Sequence, residues 1–82
     1  MKNLKDVILG QDEIIFGFRR GDMVTVATDE RPATNSLIIV QNDIGSHIRR
    51  FLFLDGEYKA WPPTDGKILG QAVSLSRNLI EH

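Results

Sequence analysis

Two places in this 82-residue chain set side by side residue types that could do chemistry. Ser46 and His47 are neighbours, as a nucleophile and its general base would need to be close. On a strand, however, adjacent side chains point to opposite faces. The pair therefore reads as a serine opening a strand and a surface histidine. The second place is acidic: Asp12, Glu13, Asp22, Asp29 and Glu30 could supply a carboxylate pair or a hard-cation site. Their spacing matches no calcium loop, and they read as solvated loop acids. His47 and His82 have no metal-ligand spacing. The absence of cysteine removes thiolate ligands, thiol nucleophiles and disulfides together. Gly10, Gly17 and Gly21 are followed by no Lys-Ser/Thr pair, so they make no phosphate loop. Neither a metal nor a cofactor is expected. Trp61, before Pro62 and Pro63, reads as the cover of one end of a small core.

The elements that must position these residues are almost all strands. KDVIL at 5–9, MVTVA at 23–27, LIIVQ at 37–41, HIRRFLFL at 47–54, EYKAW at 57–61 and KILGQAVSLSR at 67–77 carry the strand pattern. IIFGF at 14–18 is broken by Gly17 and fits either a bulged strand or a helical turn. LIIVQ is apolar on both faces, which suits a central strand. Asp55-Gly56 between two apolar runs is a two-residue hairpin signal, because a primed turn needs positive φ. Gly70 inside its run marks a bend or a close backbone approach. One domain, residues 1–82, is expected: a small, mainly β, highly twisted and mostly antiparallel half-barrel or sandwich of about six or seven strands.

Size and charge narrow the function. A chain this short buries roughly 60–65% of its unfolded surface, so its core is thin, and self-association often reinforces such cores. Ten Lys/Arg against eleven Asp/Glu give a net charge of −1. A domain gripping phosphate backbones unaided is usually clearly basic, and the pairs Arg19–Arg20 and Arg49–Arg50 read as solvated strand ends or ion-pair partners. The longest apolar runs are far below the ~20 residues of a membrane span. No secretory signal opens the chain. A soluble cytoplasmic protein with no membrane partner is the expectation.

Three fragments in order resemble the C-terminal, signal-peptidase-like domain of LexA- and UmuD-type self-cleaving proteins and CI-type phage repressors. GQDEIIFGFRRGDMVTV at 10–26 is similar to the segment carrying the family's nucleophilic serine. HIRRF at 47–51 resembles the strand with its general-base lysine, and KILGQAV at 67–73 resembles its closing strand. Carried over position by position, the nucleophile falls on Asp12 and the base on Arg49, 37 residues later, the family's usual separation. Both catalytic residues are thus replaced. A Ser–Lys dyad needs a lysine that can lose its proton, and a guanidinium with a pKa above ~12 cannot serve. The resemblance implies an ion pair between Asp12 and Arg49 in a vestigial cleft, and no catalysis.

With catalysis gone, the resemblance implies self-association. The expected role is that of a non-catalytic oligomerisation and regulatory domain of a phage- or prophage-type transcriptional repressor. It would form a homodimer or higher homo-oligomer. DNA would be reached only through an N-terminal helix-turn-helix domain outside these 82 residues. The closing strand would supply the interface, with Leu69, Gln71, Val73, Leu75 and Arg77 as candidate contacts and its unpaired edge as a template. The alternatives are a free-standing, UmuD-like partner-binding subunit and, less in keeping with the spacing, an active self-cleaving Ser–Lys peptidase built on Ser36 or Ser46 with Lys59 or Lys67.

Overall fold

The computed structural model describes residues 3–76. Six strands, β1 (Leu4–Ile8), β2 (Met23–Ala27), β3 (Leu37–Asn42), β4 (Gly45–Leu54), β5 (Glu57–Trp61) and β6 (Lys67–Ser76), form one antiparallel sheet. A 3-10 turn at Ile14–Phe16 supplies the helical alternative for the Gly17-broken run. The sheet order is β1-β2-β6-β3-β4-β5. β6 therefore returns from the β5 edge to sit between β2 and β3. Mainly β is thus what the chain adopts, and β3 is interior as its doubly apolar pattern requires.

Among the described residues the single sheet has no second layer to pack against, and it buries its apolar residues by curling. In a flat sheet β1 and β3 would lie about 14 Å apart, three ladder steps. Yet a side chain built on Gly10, two residues past β1, would touch the Ile44 carbonyl in the β3–β4 turn at 3.9 Å. Val7, Leu9, Val24, Val26, Ile39 and Ile48 fill the concave face, backed by Phe16, Phe18, Leu37, Leu69 and Ala72. Ile38, Val40 and Phe51 lie on the opposite face with Ala60. Two irregular steps, at Thr25/Val26 against β6 and at Ile39/Val40 against β6, add the local twist that bulges bring.

The 28–36 loop shields the convex face at β4. The Ala33 N–H donates to Gln71 Oε1 at 2.9 Å. The Asn35 N–H donates to the Phe51 carbonyl at 2.6 Å, and the Arg31 guanidinium lies 4.6 Å from the Tyr58 ring centre. Asp55 and Gly56 both have positive φ, 52° and 81°, which is the type I′ geometry expected of the hairpin.

Gly70 is the backbone contact that the sequence signalled. A Cβ there would be driven into the Ala27 carbonyl, and the residue is buried. Gly70→Ala is expected to cost about 2–3 kcal/mol in urea unfolding. Gly10→Ala, whose new methyl meets only ordinary van der Waals contact, should stay within ~0.5 kcal/mol. Equal costs at the two positions would contradict this packing.

Candidate functional site

The β4–β5 ladder pairs residues 50–54 with 57–61 and goes no further. Gly45–Arg49 therefore have β3 on one side and no β5 partner on the other. The side chains of Gln11, Glu13 and Thr64 meet β4 along this stretch. Here the structure places its buried polar cluster: Glu13 is 8% exposed and His47 3%.

Arg49 is the hub. Its Nη1 donates to Glu13 Oε2 at 2.9 Å and to the Ile48 carbonyl at 2.5 Å. Its Nε donates to Thr64 Oγ1. A planar fork with several donors suits three acceptors in different directions, where a lysine would present one point charge.

His47 sits on the same face of β4, two residues away. Asn42 Oδ1 accepts from the Ile44 and Gly45 N–H groups, at 2.9 and 3.2 Å, and lies 3.1 Å from His47 Nε2. That oxygen can only accept, so Nε2 carries a proton. Gln11 Nε2 lies 3.0 Å from His47 Nδ1. Glu13 Oε1 is 3.4 Å from the same nitrogen, and at that distance makes no hydrogen bond.

Of the two positions carried over from the resemblance, Asp12 and Arg49 do line one pocket of about 250 Å³, together with Glu13, Ile14, Ile15, Phe16 and Pro62. The proposed pairing is corrected, however. The carboxylate that meets Arg49 is Glu13, one residue on. Asp12 is exposed, and its Oδ1 accepts the Arg20 backbone N–H at 2.9 Å. The reason is local. Successive residues of an extended segment point opposite ways, and the backbone bridge between Glu13 and Phe18 holds Glu13 inward.

Two other readings change. His47 is buried rather than a surface residue, and Glu13 and Asp22 are buried rather than solvated. Asp22 is fixed in its turn, accepting the Arg19 N–H at 2.9 Å. Ser46 and His47 bond to different partners, Ser46 Oγ accepting from Gln41 Nε2 at 3.1 Å. Ser36 Oγ donates to the Ala33 carbonyl at 2.6 Å, and the Lys59 ammonium lies 3.8 Å from Glu57. No serine–lysine pair is formed among these contacts. Among the described residues no group of three or more His, Asp or Glu converges as a metal site would need.

The closing strand behaves differently from the expectation in its first half. Lys67–Gln71 pair with β3, and Leu69 packs on the concave core. Gln71 bonds the 28–36 loop through Ala33. These residues have no free strand edge towards β3. From Ala72 onward β6 pairs only with β2 among the described strands, and Val73 and Leu75 are exposed. Arg77 and His82 lie outside the described residues.

Comparison of the chain with protein-family models, with curated proteins and with solved structures finds no match. No helix among the described residues is long and apolar enough to cross a membrane.

The pairing predicts a specific double-mutant cycle. Arg49→Met alone leaves Glu13 buried without its counter-charge and should cost about 2–4 kcal/mol. Adding Glu13→Leu should recover at least ~1 kcal/mol of that loss, whereas Asp12→Asn should be nearly neutral in either background. Coupling of Arg49 to Asp12 instead of Glu13, read from urea unfolding, would contradict the geometry.

Proposed function

We propose that this chain is a LexA/UmuD/CI-type C-terminal domain that has lost its dyad. It acts as a cytoplasmic, non-catalytic oligomerisation and regulatory domain of a phage- or prophage-type repressor. The observation that carries this reading is the shared pocket of Asp12 and Arg49. Two positions 37 residues apart in sequence line the same pocket, which supports the reading that they descend from a nucleophile and its base. At the base position stands a guanidinium whose Nη1 donates to Glu13 and the Ile48 carbonyl and whose Nε donates to Thr64. A group that only donates cannot take a proton from a hydroxyl. At the nucleophile position stands an exposed carboxylate, a poor attacker of an unactivated amide.

The apolar exposure of the surface supports association. Val73 and Leu75 on β6, and Phe53, Leu54, Tyr58 and Trp61 on the β4–β5 hairpin, are all exposed. Such surface on a chain this short suits contacts between copies.

Sedimentation equilibrium between about 1 and 100 μM should show a dimer or larger assembly. Intact-mass spectrometry after long incubation at alkaline pH should return the undivided chain. A monomer throughout would overturn the association. Fragments lost on replacing one serine would restore the peptidase.

A further inference from the structure

The edge of the sheet at β5 leaves backbone groups free to pair. β5 ends the strand order, and among the described residues no strand pairs with its outer side. The direction of its free backbone groups follows from the hairpin. In a two-residue turn the flanking pair, Leu54 and Glu57, exchanges both hydrogen bonds, and hydrogen-bonded and non-hydrogen-bonded pairs then alternate. Leu52–Lys59 and Arg50–Trp61 continue the bonded set, while Phe53–Tyr58 and Phe51–Ala60 do not. The N–H and C=O of Tyr58 and Ala60 therefore point outward.

Charge decides what can dock there. Glu57 and Lys59 flank Tyr58 and lie on one face, their charged groups 3.8 Å apart. A second copy running antiparallel with Tyr58 opposite Tyr58 sets each Glu57 against the other copy's Lys59. Both cross-strand pairs are then of opposite sign, which favours the register. Shifting the two-fold axis by one residue sets Lys59 against Lys59, which is disfavoured. The other edge strand lacks this property. Lys5 and Asp6 of β1 are adjacent, so they point to opposite faces, and no two-fold pairing brings them together.

The exposed apolar residues lie along the same edge. Tyr58 is 42% exposed and Trp61 52%. Tyr58 is already held rigid, stacked on Phe51 at 4.9 Å and edge-on to Phe53 at 4.8 Å. In the Tyr58-centred register Trp61 comes opposite the second copy's Asp55, so each hairpin tip covers the other's tryptophan. A groove of about 530 Å³, lined from Leu54 and Asp55 through Lys59 and Trp61 to Pro63 and Asp65, gives that tip room.

We infer that two copies of this chain join β5 to β5 across a two-fold axis at Tyr58, making one continuous twelve-stranded sheet. This rests on the association proposed above and assigns its surface. The contact is isologous, so it closes as a dimer rather than extending. Glu57 and Lys59 then act as a register code that turns a hazardous open edge into a specific one.

Sedimentation equilibrium on the full chain tests it, with circular dichroism to confirm folding. Lys59→Glu places like charges at both cross-strand positions and should weaken the dimer at least about tenfold. The double swap Glu57→Lys/Lys59→Glu should restore it. The chain has no cysteine, so single cysteines report geometry cleanly. In a hydrogen-bonded pair the Cα atoms lie about 5.5 Å apart, within disulfide range. Tyr58→Cys should therefore cross-link under mild oxidation, and Lys59→Cys should not. Preferential cross-linking through position 59 overturns the register. A dimer indifferent to Lys59→Glu and cross-linked instead through Val73→Cys overturns the β5 contact and leaves association through β6. A monomer at every concentration overturns both.

Discussion

Pro63 has no N–H to give, and the geometry around β4 is arranged about that deficit. Continuing the β4–β5 register would set Pro63 opposite Ile48, at a position where a backbone donor is due. The Ile48 carbonyl points into the gap left where β5 stops. Arg49 folds its guanidinium back to that carbonyl. A side chain thus does what the ladder cannot. The substitution has a consequence of its own, because a largely buried cation needs a counter-charge. Glu13 provides it, and Thr64, just past the two prolines, accepts from Nε.

The curl of the sheet and this polar cluster are therefore linked. Only because the sheet bends does the segment after β1 reach β4 at all, bringing Gln11 and Glu13 against His47 and Arg49. The same segment faces both ways. Phe16 and Phe18 pack into the concave core, while Glu13 reaches the other face of β4. The Glu13–Arg49 ion pair lines the pocket of about 250 Å³ on that side of β4. A buried pair of this kind contributes little net stability compared with apolar residues of the same shape.

Strand identity was legible because each strand has its own pattern. The β-branched MVTVA run and the Asp-Gly turn between apolar stretches placed β2, β4 and β5 to within a residue or two. The backbone approach at Gly70 was legible for the same reason, since a lone glycine in a strand has few other causes. The partner of Arg49 was not. Asp12 and Glu13 differ only in which way an irregular segment turns them, and no short-range pattern encodes that. The one available signal was the double proline, which leaves a carbonyl of the opposite strand without its donor and so calls for a side chain nearby. His47 was misplaced because its burial depends on Gln11 and Asn42, 36 and five residues away. The edges were hidden too, since β6 crossing back into the sheet is a long-range choice that local periodicity does not register.

The functional reading and the architecture share one premise, that Arg49 is a fixed structural cation held through its Nε and Nη1. Nuclear magnetic resonance of the arginine side chains tests that premise most directly. The account predicts an Arg49 Nε–H signal dispersed from the other arginines and slow to exchange with solvent, unchanged in Asp12→Asn and lost in Glu13→Gln. A fast-exchanging, averaged Arg49 signal in the native protein, or one that responds to residue 12 and ignores residue 13, would contradict it.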